Sequence, residues 1–363
     1  MNRYFMVANE PWGYHGIKYR RHYLMEFLAS QAETDRVFFI CRDSRLPVPL
    51  ATTPIAPKIT EIALNDHGLA LLIDQLNDKP DWRLFQNILF YCDPRFAWEL
   101  CSMPIWDKIV YDCTDFWSNS PFNQTDRNTI LLQEAMIAAK SEPLFASSQF
   151  LANHLRKAFH KQATVIENGV AIWETEPMAS DVPEQFTVQS PGLVFAGGMK
   201  EKIDFDLLFN VARLMPDAHF YLMGPLAGRL SKKQILGGRL PSNLRYLGSF
   251  PPEAVPSLLK RFDVGLIPHR RLEYSKAVSP LKFFEYLYAG LPVVSCNAPS
   301  IDHYAESGIA YPCANNQFSF AIACRWALAV AKDETLIAKR KAIARGRAWD
   351  SLFTQMLKRI LAA

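Results

Sequence analysis

Lys282 and Glu285 are the two charged residues in an otherwise apolar run made of Leu281, Phe283, Phe284, Tyr286, Leu287, Tyr288 and Ala289. Three positions apart, they share one face of a helix. A helix that is apolar almost all round is expected to be buried, and charge on such a helix needs a reason. The helix start lies beside the pair: Ser279 suits the N-cap, Pro280 the first helical position and Gly290 the left-handed close. The N–H groups of Ser279, Leu281 and Lys282 can receive an anion there, whereas Pro280 has none to give. A phosphate at the helix start, with hydroxyls held by Glu285, would supply the reason. A structural salt bridge is the plainer alternative.

Other chemistry-bearing residues fall at strand ends. Gly197 and Gly198 close the apolar run Val194–Ala196 and precede Lys200 and Lys202, which suit a phosphate or a merely solvated loop. Gly16 sits in the loop after the first strand, where a residue without Cβ lets a phosphate or sugar approach the backbone. Lys18, Arg20, Arg21 and His22 follow it and could hold an acceptor's pyrophosphate, or form a solvated helix face. Asp112 and Asp115 end another buried run; either could act as a base or hydrogen-bond a sugar. His269-Arg270-Arg271 ends a third, with a phosphate or an acidic sugar as its ligand, or a solvated loop. Asp204-Phe205-Asp206 has the form of a metal-binding DxD, yet Asp204 reads better as a helix cap.

The elements that must position these residues alternate. Strands are expected at Tyr4–Ala8, Arg36–Cys41, Asn87–Tyr91, Lys108–Asp112, Glu142–Ser147 and Thr164–Ile166, with helices between. After a linker over 171–190 the pattern restarts at Leu193–Ala196, His219–Met223, Leu244–Leu247 and Val264–Ile267. Alternation of this kind predicts parallel sheets covered by helices, with a ligand at the carboxyl ends of the strands. The 363 residues favour two domains, 1–170 and 191–345, with an amphipathic helix within 346–363 closing the first. A net charge of +4 with 21% charged residues falls short of a nucleic-acid-binding profile. Seven scattered cysteines without a CxxC pair suit a reducing compartment. No apolar stretch has the length of a span or signal peptide, so a cytoplasmic location is expected, with peripheral contact at the inner membrane left open.

Several blocks resemble the GT-B glycosyltransferases, more narrowly the family-4-like branch that builds bacterial polysaccharides. They are Val194-Phe195-Ala196-Gly197-Gly198, Asn243–Gly248, Phe262–Pro268, the segment SPLKFFEYLYAGLPVV from Ser279 to Val294, and Tyr111–Trp117 with Glu142–Val170 in the first half. The resemblance implies two Rossmann-like parallel-sheet domains facing across a cleft, with the last helix crossing back to the N-terminal domain. The first domain would serve the acceptor and the second the nucleotide sugar.

The resemblance also implies the activity: transfer of a sugar from a nucleotide-diphosphate donor, a UDP-sugar above others, with retention. The acceptor would be lipid-linked or a glycan, in bacterial exopolysaccharide, capsule or envelope synthesis. Donor contacts would come from Gly16, Gly197, Gly198, Lys202, Ser279, Pro280, Leu281, Lys282 and Glu285, and catalysis from Asp115 and Asp112. Acceptor contacts would come from Lys18, Arg20, Arg21 and His22. No metal and no cofactor is expected. Two positions depart from the family pattern. Ala277 stands where a glutamate eight residues before Glu285 is common, and Gly198 replaces an arginine. A nucleotide-sugar epimerase of the same fold and a catalytically silent sugar-nucleotide binder are the alternatives. A nicotinamide dehydrogenase is disfavoured because Ala8–Gly16 lacks GxGxxG.

Overall fold

The computed structural model describes residues 1–78, 80–120, 125–173, 187–238 and 240–362; most of the linker expected over 171–190 lies outside them. Two compact units result. The first comprises Met1–Tyr14, Tyr19–Glu167 and Asp350–Ala363, the second His15–Lys18 and Asn168–Trp349.

In chain order the first unit holds β1 (Asn2–Ala8), α1 (Arg20–Ser30), β2 (Thr34–Arg42), β3 (Leu50–Ala56), β4 (Ile59–Leu64), α2 (Gly68–Asn77) and β5 (Gln86–Tyr91). It continues with α3 (Ala97–Leu100), β6 (Lys108–Cys113), α4 (Arg127–Lys140), β7 (Leu144–Ala146), α5 (Gln149–Phe159) and β8 (Thr164–Val165). The strands order as β3-β4-β2-β1-β5-β6-β7-β8. Tyr4 to Ala8 and Ile88 to Tyr91 are fully or almost fully buried, as a strand covered on both faces requires. The sheet is not wholly parallel, as the sequence pattern implied: β3 runs antiparallel to β4. Only Pro57 and Lys58 join these two strands, and so short a connection permits only a hairpin. Pro54 on β3 is tolerated because the strand is an edge.

The second unit holds β9 (Gly192–Ala196), α6 (Phe205–Leu214), β10 (His219–Met223), α7 (Arg229–Leu236), β11 (Leu244–Gly248), α8 (Val255–Leu259) and β12 (Val264–Pro268). After these come α9 (Leu281–Ala289), β13 (Val293–Cys296), β14 (Ala310–Pro312), α10 (Gln317–Ala329) and α11 (Glu334–Arg345). Its strand order is β11-β10-β9-β12-β13-β14, all parallel. The order reverses between β9 and β12, and such a switch point is where open α/β sheets bind ligands.

The last helix, α12 (Trp349–Ala362), carries the chain back to the first unit at Asp350. Leu352, Phe353, Met356 and Ile360 are buried, Phe353 meets the Phe27 ring at 5.7 Å, and Lys108 Nζ donates to the Ile360 carbonyl at 2.7 Å.

Candidate functional site

The switch point of the second unit is held open by one side chain. β9 and β12 pair only at Leu193–Val264 and Val194–Gly265. Beyond that the Tyr286 hydroxyl takes over, accepting from Ala196 N–H at 2.8 Å and donating to the Leu266 carbonyl at 3.3 Å. Its ring lies on Gly265, where a Cβ would come within 2.3 Å of it. That contact seats α9 against the sheet. Lys282 is one turn earlier on the same face, so it is aimed at the end of β9.

There Lys282 meets the glycine turn. Gly197 has φ +134°, and the position its Cβ would take is 3.1 Å from both Cε and Nζ of Lys282. The ammonium stands 4.2 Å from the centre of the Phe195 ring. Some surface of Lys282 stays accessible. Even so, loss of hydration, reinforced by the charge of Lys202, lowers its pKa to about 7, against a weaker opposing pull from Glu285. The Glu285 carboxyl is pushed above the usual range by desolvation, which Lys282 only partly offsets. Glu285 has no hydrogen bond and no ion pair among the described residues.

Lys202 arrives on a loop stitched to the end of β12. Arg270 N–H donates to the Lys202 carbonyl at 2.8 Å, Asp204 N–H to Pro268 at 2.8 Å, and Ile203 forms an antiparallel bridge with His269. Its ammonium is 5.9 Å from the Tyr274 ring centre. His269 itself is fully buried, with no hydrogen-bond partner on either ring nitrogen among the described residues. Burial, then the charges of Lys202 and Lys282, hold its pKa well below normal; the Asn297 backbone opposes this weakly from outside hydrogen-bond geometry. The imidazole is therefore neutral between two lysines.

The start of α9 completes the cluster. Pro280, not Ser279, occupies the N-cap, with an extended backbone and no side-chain cap. Ser279 is turned to Asn168 instead, whose side-chain amide donates to the Ser279 carbonyl at 2.7 Å. The expected cap is thus replaced by a tether to the segment after β8. The first-turn N–H groups of Leu281 and Lys282 have no backbone acceptor among the described residues. Gly290 closes the helix at φ +92° as expected. Asp204 caps α6, accepting from Leu207 N–H at 3.0 Å, so the DxD-like stretch is a helix start. Gly198 would carry its Cβ 2.8 Å from Ile17 Cδ1, the movable end of a side chain, so packing does not explain a glycine where the family pattern has an arginine.

Elsewhere the structure corrects the expected site. Asp112 and Arg20 are 1% and 3% exposed and bind each other twice, Nε to Oδ2 at 2.8 Å and Nη2 to Oδ1 at 3.1 Å. Arg20 Nη1 also donates to the Ile166 and Glu167 carbonyls. A carboxylate so paired is no general base, and a guanidinium so enclosed is no acceptor clamp. His22 is buried too, its Nδ1 accepting from Tyr19 N–H at 2.8 Å. Arg21 lies over the Tyr19 ring, 3.7 Å from Glu10. Lys18 belongs to the second unit and Arg20, Arg21 and His22 to the first. Gly16 has φ +63° with nothing near its Cβ position, so its backbone conformation, not crowding, calls for glycine. Asp115 is half-buried in the loop after β6. Tyr286 was missed as a site-builder; the signal was its place four residues after Lys282.

Comparison with known proteins decides the family. Residues 190–329 match the model of group 1 glycosyl transferases. The chain is 31% identical to TuaH of Bacillus subtilis (strain 168), provisionally named a teichuronic acid biosynthesis glycosyltransferase, over 97% of this chain and 96% of that one. This chain belongs to the group 1 glycosyltransferases. The fold agrees: the glycosyltransferase superposes on sucrose-phosphate synthase from Thermosynechococcus elongatus with a TM-score of 0.75, 14% identity and 99% coverage of both chains. HepE of Anabaena, solved with UDP and glucose, gives 0.70 with 14% identity over 100% of both. The architecture is thus GT-B. Among the described residues of this glycosyltransferase, no helix is long and apolar enough to cross a membrane.

Proposed function

We propose that this glycosyltransferase transfers a sugar from a UDP-sugar to a lipid-linked or glycan acceptor, with retention, in bacterial exopolysaccharide, capsule or envelope synthesis. The observation that carries the donor half is Lys282 itself, aimed at the glycine turn of the switch point, stripped of hydration and offset only weakly by Glu285, with Lys202 and neutral His269 nearby. A desolvated ammonium with a second lysine acting on it is a costly arrangement that an anion would relieve. A diphosphate supplies it: one phosphate at Lys282, Lys202 and the free N–H groups of Leu281 and Lys282, with Gly197 admitting it to the backbone. Glu285, one turn on, accepts hydrogen bonds from the ribose diol.

As the bond from sugar to phosphate breaks, negative charge gathers on the leaving oxygen. Fixed donors that face that oxygen lower the barrier without covalent chemistry. The leaving phosphate takes the acceptor's proton, and Asp115 is assigned a hydrogen bond to the sugar. Support for UDP comes from the solved relatives of this fold, of which HepE was determined with UDP-glucose. Support for a polysaccharide product comes from TuaH, and a lipid-linked acceptor would place the enzyme at the membrane surface.

The test is Lys282→Met. Its turnover should fall about 10²–10³-fold, the usual loss of one such electrostatic contact, with UDP affinity reduced and the fold intact. Unchanged turnover would remove the phosphate assignment. UDP released only when acceptor is added excludes the epimerase. Donor bound tightly without turnover would favour the silent binder, for which Ala277, fully buried where a glutamate is common, is the one supporting feature.

A further inference from the structure

Helix α10 is apolar on both sides. Thirteen residues, QFSFAIACRWALA, contain one charge, Arg325. Phe320, Ala323, Cys324 and Ala327 face inward and join the core of the second unit with Phe195, Leu208 and Val211. Phe318, Ile322 and Trp326 point the other way, 62%, 50% and 62% exposed. Spaced four apart, they stack into one stripe. Single exposed apolar residues need no explanation, but an aligned stripe ending in an aromatic at each end does.

Its size argues against a protein partner. Three side chains of about 150–250 Å² each, half to two-thirds exposed, offer roughly 300 Å², against about 800 Å² per partner in a stable complex. A surface flanking the stripe is charged: Arg325 pairs with Asp217 at 3.0 Å with both side chains more than half exposed, and Lys332 in the following turn, 79% exposed, lies 3.8 Å from Asp263. A lipid surface has no minimum area. It accepts Phe and Trp at the headgroup boundary while arginine and lysine stay among the phosphates. We propose that the Phe318–Ile322–Trp326 stripe seats the second unit on an anionic bilayer surface. This rests on the reading that the acceptor is lipid-linked.

The experiment is co-sedimentation of the full chain with vesicles of phosphatidylglycerol and phosphatidylcholine, beside phosphatidylcholine alone. Wild type should bind the anionic vesicles. The double variant Phe318→Ser, Trp326→Ser should partition about ten-fold or more weaker, with UDP affinity and melting temperature unchanged, while Trp326→Phe retains binding. Wild type that binds neither vesicle overturns the proposal together with the membrane-surface reading. Equal binding by wild type and double variant overturns the α10 assignment and leaves that reading standing. A wild-type dimer that becomes monomeric in the double variant overturns it in favour of a second copy.

Discussion

Arg20 in the first unit and Lys282 in the second are both cations deep in protein, and their surroundings are opposites. Arg20 faces a carboxylate that binds it twice, two main-chain carbonyls and the Met356 sulfur at 3.4 Å. Lys282 faces an aromatic ring, a second lysine and a neutral histidine, with only a weaker pull from Glu285. The first set is satisfied by the chain alone and ties α1, β6, the end of β8 and α12 together. The second leaves Lys282 without a hydrogen bond or ion pair among the described residues and sits where an open parallel sheet receives a ligand. A buried charge with its partner supports the fold; a buried charge without one waits for a substrate.

The largest break in this contrast is Arg20→Met. Leaving Asp112 buried and alone should cost about 3–5 kcal/mol of stability, seen as a lower melting midpoint in denaturant. A variant as stable as wild type would mean the pair is not structural. On the other side, Glu285→Ala should leave stability near wild type and weaken UDP binding by about 1.5–3 kcal/mol, the usual range for a hydrogen bond to a charged group. Titration calorimetry reads this, and unchanged affinity would sink the ribose assignment.

The free enzyme should also show a pH dependence. Lys282 has a pKa of about 7 in the fold and its ordinary 10.5 when unfolded. Between those values the unfolded chain binds more protons, so stability should rise with pH across this window. Below about 7 the penalty is fully present. Lys282→Met should flatten the rise and raise the melting temperature of the ligand-free enzyme; an equal slope in both proteins would place the titration elsewhere.

Much of this was legible in the residues, for physical reasons that differ. The apolar helix with its two charges, the closing glycine at 290 and the glycine turn at 197 are local patterns, and local geometry realises them. Asp204 likewise proved a cap because capping depends on the next three residues. The edge hairpin of β3 and β4 was missed because β3, largely exposed, lacks an apolar run. Asp112 and Arg20 misled because their partnership spans 92 positions, and no local pattern reports a contact so distant. His269 was visible as a strand end, but its burial between two lysines arises from the bridge to Ile203, a tertiary feature.

If Lys282 is the cation that meets the donor's diphosphate, UDP binding must recharge it. Titrating UDP into the enzyme at about pH 8, in buffers of differing ionisation enthalpy, measures the protons taken up on binding. UDP is fully ionised there, its last phosphate pKa being about 6, so it takes up none itself. A lysine near 7 is mostly neutral at that pH and should be recharged by the phosphate, giving an uptake of most of one proton that disappears in Lys282→Met. No uptake by wild type, or the same uptake by the variant, would remove Lys282 from the diphosphate site.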